Sequence, residues 1–212
     1  MSIVAIIDYG MGNIRSVAKA VEHVDDHARV IVSNDAEQIL TANHVILPGV
    51  GALRDCMSEL QRLELTDVVR ECAQTRPFLG ICLGMQLLLE DSEENGGTQG
   101  LAVIPGRARH FSRRLNQDQG LKIPHMGWNQ VRQQQSHPLW QDIDQDSRFY
   151  FVHSYYAVPA QEQTVLATTD YGVPFASVIG RDNIFAVQFH PEKSQHAGLQ
   201  LLNNFIAWDG GR

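Results

Sequence analysis

Positive charge is scarce in this 212-residue chain: 17 lysines and arginines face 24 acidic residues, leaving a net charge of −7. That deficit argues against broad binding to nucleic acid or to an anionic membrane, both of which select a basic surface. Cysteine is scarcer still. Cys56, Cys72 and Cys82 are odd in number and have no CxxC spacing. A disulfide framework is thereby excluded, and a reducing cytoplasm is the compartment that suits the chain. No apolar run reaches the ~18 residues of a membrane span. The opening MSIVAIIDYG has no basic n-region, and Asp8 interrupts its short apolar run; it reads as a first β-strand rather than a signal peptide. Internal repeats and low-complexity tracts are also missing. QQQS at 133–136 is too short to count and reads as a solvated loop.

What is present is enough apolar material for a sizeable core, 43% of the residues, in a length that suits one domain over 1–212. IVAII (3–7) is a continuous β-branched run, as in a strand buried on both faces. From Ile14 the apolar residues recur at three- and four-residue steps, a helical period. RVIVS (29–33) and HVILP (44–48) are further strands, with a short helix between them that begins near Asp35. A helix over 52–73, a strand over 76–81 and a helix through LGMQLLLEDSEE follow. This alternation predicts an α/β fold with a mostly parallel central sheet and helices on both faces. After Asn95 the segments become strand-like, among them LAVIP, HMGWNQV, RFYFVHSYYAV, TVLATT, PFASVIG and IFAVQFH. They are read as an antiparallel extension that completes the sheet and flanks the site. GRDN (180–183) predicts a hairpin, and Gln195–Trp208 a closing amphipathic helix.

The densest chemistry lies in Gly80-Ile81-Cys82-Leu83-Gly84. A G-x-C-x-G at a strand-to-helix turn is the cysteine version of the nucleophile elbow. The sharp turn strains the backbone and leaves no room for neighbouring side chains, hence the flanking glycines. It projects the sulfur from the carboxyl edge of the sheet, where open α/β sheets bind ligands. A helix start there favours thiolate over thiol. The plainer reading is a small buried hydrophobe at a tight turn. A nucleophile needs a base, and of nine histidines His190 has the right neighbours: in AVQFHPEKS it ends a β-run, and Glu192 leaves the chain on the same side two residues on. A carboxylate there orients an imidazole, although HxE alone is commonly surface decoration. Acyl transfer further needs oxyanion donors. The Leu83 N–H is one candidate. The Pro48-Gly49-Val50-Gly51 loop on a neighbouring strand is another, unless it is an ordinary turn.

With Cys82, His190-Pro191-Glu192 and PGVG assembled, the chain resembles the class I (triad) glutamine amidotransferases. IIDYGMGNIRSV, PGVGAL, GICLGMQLL, PHMGWN (124–129), YFVHSYYAV and VQFHPEKS make it similar to the branch that serves histidine biosynthesis. The likeness runs from the first strand to the last. Other members commonly carry a PGG-type loop where this chain has PGVG. The resemblance implies that Cys82 attacks the carboxamide of glutamine, that His190 and Glu192 complete the triad, and that Leu83 N–H with an amide of Gly49, Val50 or Gly51 binds the oxyanion. It implies that Gln86, His153, Ser154 and Tyr155 hold the amino-acid end of glutamine. The ammonia would pass to a separate (β/α)₈-barrel cyclase in a heterodimer. That partner would make imidazole glycerol phosphate and an aminoimidazole carboxamide ribonucleotide. Met126, Trp128 and Asn129, with Lys193 beside the triad, would face it. No cofactor or metal is implied.

Weaker signals point elsewhere. Gly10-Met11-Gly12 suggests dinucleotide binding, but Arg15 stands where a third glycine belongs. His23 and His27 have metal-ligand spacing without a third ligand. Arg107, Arg109, Arg113 and Arg114 form a basic cluster that reads best as a solvated face. Two other classes remain open: a cysteine hydrolase, peptidase or other synthase glutaminase with the same triad, and a non-catalytic module on the same fold.

Overall fold

The computed structural model describes residues 2–115 and 120–211. The first half alternates as its sequence predicts. β1 (Ile3–Ile7), α1 (Ile14–Val24), β2 (Arg29–Ser33), α2 (Ala36–Thr41), β3 (His44–Gly49), α3 (Leu53–Arg62), α4 (Thr66–Thr75), β4 (Phe78–Cys82) and α5 (Leu83–Leu87) follow in order. Asp35 caps α2, its carboxylate accepting from the Gln38 N–H. The second half supplies β5 (Asp91–Ser92), β6 (Thr98–Gln99), β7 (Gly106–His110), β8 (His125–Gln130), β9 (Arg132–Gln133), β10 (Arg148–His153), β11 (Tyr155–Pro159), β12 (Val165–Asp170), β13 (Pro174–Arg181), β14 (Ile184–Val187) and the closing helix α6 (Gln195–Ala207).

The main sheet runs β2-β1-β3-β4-β14 in parallel, then continues through β13, β11, β7, β5 and β6. The continuation is antiparallel except for the β5–β7 pair. Both faces of the parallel half are covered, and β1 shows why its sequence has no polar alternation. Val4 and Ile6 pack with Val17 and Val21 of α1 and Leu201 and Phe205 of α6. Ala5 and Ile7 pack on the other side with Ile39, Leu53, Leu60 and Val69 of α2, α3 and α4. Successive side chains leave a strand on opposite faces, so a strand sandwiched between helices must be apolar throughout. Cys56 and Cys72 are buried in the second of these layers.

Several segments differ from expectation. The helix expected over 52–73 is two helices, broken where Glu64 takes φ +56°. An unbroken helix of that length would span ~33 Å, well beyond a strand of typical length, ~17–20 Å. The break turns the chain so that Leu60 and Leu65 are both buried. The helix expected through LGMQLLLEDSEE stops at Leu87, because N–H groups of 101–104 take the carbonyls of Leu87, Leu88 and Leu89. LAVIP is that capping loop rather than a strand. Part of QQQS is not solvated loop: Gln133 lies in β9 and the Gln134 N–H bonds the Leu166 carbonyl. β8 and β10 do not join the main sheet; they form a separate antiparallel ribbon. The hairpin at 180–183 forms with Arg181 opposite Ile184.

Candidate active site

Parallel register brings the chemistry to one edge. β3 and β4 are paired so that Gly49 lies beside Cys82. On the other flank Val187 of β14 pairs Ile81, so the chain leaving β14 carries Gln188 and then His190 past the sulfur. Three segments far apart in sequence thus end together because their strands are adjacent and point the same way.

Cys82 has the strained turn expected of an elbow, φ +55° and ψ −111°, a region costly for a non-glycine residue. Two glycines beside it, one on its own turn and one on the adjacent strand, explain how it fits. A Cβ on Gly84 would lie 1.9 Å from the Leu47 carbonyl oxygen, and one on Gly49 2.8 Å from the Tyr9 hydroxyl and 2.9 Å from the Gly84 N. The helix after the elbow has only five residues, so its macrodipole is weaker than that of the helix expected from sequence. Cys82 is 7% exposed and lines a pocket of about 320 Å³ with Val50, Gly51, Leu83, Gln86 and His190. The far wall is Val152 to Tyr155 with Pro124, and Glu94 completes the rim.

His190 is buried, and its Nδ1 lies 2.9 Å from Glu192 Oε1. Its Nε2 makes no regular hydrogen bond among the described residues. Burial works against charge on this imidazole, but the pull of Cys82 and of Glu192 outweighs it and raises the pKa to about 10. The turn after β14 is held by the backbone: His190 N–H donates to the Tyr150 carbonyl, and Ser194 Oγ donates to the His190 carbonyl.

Asn13, Gln188 and Glu94, which no local pattern marks, complete the site together with Gln86. Asn13 donates to Glu192 Oε1 at 3.2 Å. Gln188 places its amide 3.9 Å from the Cys82 sulfur. Gln86 donates to both the Gln188 Oε1 and the Tyr155 carbonyl, tying elbow, base strand and pocket wall together. Glu94 lines the pocket while accepting the Leu53 N–H; the sequence shows it only as one acid in an acidic stretch.

Behind the wall runs a one-way chain of hydrogen bonds. His153 Nδ1 donates to the Tyr155 carbonyl, so its Nε2 accepts from His125 Nδ1 at 2.9 Å, and His125 Nε2 accepts from Asn129 at 3.3 Å. Burial pulls the pKa of His153 down to about 3 and that of His125 to about 4. Both are therefore neutral at physiological pH, as the chain requires.

The β8–β10 ribbon alternates cleanly. Met126 and Trp128 face outward, 62% and 38% exposed, with Tyr150 beside Trp128. Lys193 lies 6.0 Å from the Tyr150 ring. Asn129 stands apart from the expected docking set: it faces inward, bonded to His125 and to the Asp170 carbonyl. Arg107, Arg109 and Arg113 pair with Asp91 and Glu93 at the surface, as a solvated face does.

Comparison with known proteins identifies the family. The family model "Glutamine amidotransferase class-I" matches residues 5–208. The imidazole glycerol phosphate synthase subunit HisH of Nitrosococcus oceani is 58% identical over 210 residues, 99% of each chain. That of Methylococcus capsulatus is 58% identical over 212 residues, 99% of this chain and 98% of its own. Among solved structures, PurLQS from Thermotoga maritima has a TM-score of 0.74 at 16% identity, covering 98% of this chain and 99% of that one. A putative GMP synthase protein from Thermoplasma acidophilum has 0.71 at 16% identity, covering 98% and 93%. Likeness at that identity speaks for the fold; the matches in sequence carry the family. The chain belongs to the class I glutamine amidotransferase family.

Proposed function

We propose that this chain hydrolyses glutamine through a thioester on Cys82 and supplies the ammonia to the cyclase subunit of an imidazole glycerol phosphate synthase, in histidine biosynthesis. The observation that carries the reading is His190: a buried imidazole whose charged form is favoured by Glu192 on one side and Cys82 on the other.

The Cys82 thiolate attacks the carboxamide carbon, and the displaced electron pair rests on oxygen. Leu83 N–H and a PGVG amide bind that oxyanion. Its collapse breaks the C–N bond while the imidazolium gives its Nε2 proton to the departing nitrogen, releasing ammonia and leaving a thioester. Neutral His190 then takes a proton from water as the oxygen attacks the acyl carbon. Collapse releases glutamate and restores thiolate and imidazolium. Glu192 holds the ring by Nδ1 throughout. At the other end of the pocket the substrate's ammonium meets the Glu94 carboxylate and the Gln86 amide oxygen, whose NH2 is already committed to Gln188 and Tyr155, and the 153–155 backbone binds the substrate carboxylate.

The relatives are named as subunits, which supports a partner. The outward pair Met126 and Trp128 gives such a partner an apolar face near the pocket, and a (β/α)₈-barrel cyclase is the partner we assign, with Lys193 at the border. The test is Cys82→Ala in the complex. Glutamine-dependent synthesis is expected to vanish while synthesis from added ammonium persists. Loss of both activities would move Cys82 out of the glutaminase role.

A further inference from the structure

The PGVG loop is fastened from behind by two side chains that the reaction itself does not use. Tyr9, two residues past β1, is fully buried, and its hydroxyl donates to the Pro48 carbonyl at 2.7 Å. Cys56, in the first turn of α3, is fully buried as well, and its thiol donates to the Val50 carbonyl at 3.5 Å. The two donors touch, Tyr9 Oη lying 3.6 Å from Cys56 Sγ. Both keep their protons: burial raises Tyr9 well above the ordinary phenol value and raises Cys56 to about 11.

The consequence follows from peptide planarity. Holding a carbonyl oxygen fixes the N–H on the opposite side of the same plane. Tyr9 therefore sets the Pro48–Gly49 peptide, and Cys56 sets the Val50–Gly51 peptide. Between them lies Gly49–Val50, the one peptide within PGVG whose carbonyl accepts no side-chain hydrogen bond among the described residues. Val50 and Gly51 both line the pocket. The loop is thus anchored at two points and presents its amides to the pocket from a frame outside the pocket. The requirement for glycine at 49 has the same origin, because a Cβ there would collide with the Tyr9 hydroxyl.

We propose that Tyr9 and Cys56 are positioning residues for the amide-cleaving step: their hydroxyl and thiol hold the Pro48 and Val50 carbonyls and so aim the loop's amides at the developing oxyanion. The proposal rests on the reading of PGVG as the oxyanion loop. An anchor of this kind acts on the transition state and not on substrate affinity, since the charge it serves appears only when the carbonyl is attacked. Its loss lowers kcat and leaves KM nearly unchanged.

The experiment compares Tyr9→Phe, Cys56→Ala and Cys56→Ser, with Val50→Pro as a control that removes one loop N–H, all with the partner subunit present. Glutamate release gives kcat and KM. Alkylation of Cys82 by iodoacetamide, which displaces iodide at a saturated carbon and forms no oxyanion, reports the nucleophile separately. The expected result is a roughly 10-fold fall in kcat for Tyr9→Phe and a clear fall for Cys56→Ala. Cys56→Ser, which keeps a donor, stays near the parent, and KM and alkylation rate change less than about twofold. Unchanged kcat in both Tyr9→Phe and Cys56→Ala, with Val50→Pro impaired, overturns the anchoring role alone. Full kcat in Val50→Pro together with unchanged kcat in Tyr9→Phe and Cys56→Ala overturns the oxyanion reading and the proposal with it, whereas full kcat in Val50→Pro alone assigns the donor to an anchored amide, that of Gly49 or Gly51. A loss of kcat matched by an equal loss of alkylation rate means general damage to the site and also overturns it.

Discussion

At His190 burial and charge pull in opposite directions, and charge wins. Removing the Glu192 charge removes one of the two groups that hold the imidazolium. In Glu192→Gln the proton leaves His190 at lower pH, so the alkaline limb of the kcat/KM profile moves down, and kcat falls roughly 10²–10⁴-fold as the ring loses its orientation. An unmoved alkaline limb would show that Glu192 plays no part in the titration. Asn13 extends the same logic one residue outward. It stands at the N-cap of α1 yet makes no side-chain bond to its own helix; its amide serves Glu192 instead. The cysteine elbow and the His-x-Glu pair were legible in the sequence because both are local patterns. Asn13 and Gln188 were not, because each acts on a residue that only the fold brings near.

Among elements, the β3–β4–α5 junction carries the site. α5 must start close beneath β3 for Cys82 to turn upward, and Gly84 is where the two backbones meet. Gly84→Ala would set a methyl group against the Leu47 carbonyl, backbone against which no side chain can yield. We expect a stability loss of roughly 1–3 kcal/mol or more and a comparable loss of alkylatable Cys82, read by urea unfolding and thiol labelling. A variant with parental stability would mean that the strand and helix can separate without cost. Periodicity placed the strands well here, since apolar β-branched runs are strong signals. Helix ends read less well. α5 stops because carbonyls are taken by a loop more than ten residues away, and no window along the chain contains that competition.

Across the molecule, the buried His125–His153 pair sets a limit on acid stability. In the folded chain these rings bind protons only near pH 4 and 3, whereas the ordinary value is 6.5. Between those values the unfolded chain holds more protons than the folded one, so stability rises with pH and is lost as pH falls below about 6.5. Each histidine contributes a slope of up to about 1.4 kcal/mol per pH unit in that window. Urea unfolding at pH 7, 6 and 5 should show the decline beginning between 7 and 6. Stability that does not change from pH 7 to pH 5 would contradict neutral burial of the pair. The same pair links the inner face of the β8–β10 ribbon to the wall of the Cys82 pocket, while the outer face of that ribbon presents Met126 and Trp128.

The chain's own order of residues determined the alternation of strands and helices, the elbow around Cys82 and the His-x-Glu pair, because each depends on contacts within a few residues or on a regular period. Tertiary structure alone decided which strands are neighbours, and hence that residues 49, 82 and 188 share one edge. It also decided that Asn13 bonds Glu192, that Tyr9 and Cys56 hold the PGVG loop, and that Asn129 turns inward. Those arrangements rest on contacts between distant segments, whose partners are set by which faces can be buried together and not by any pattern a single stretch can display.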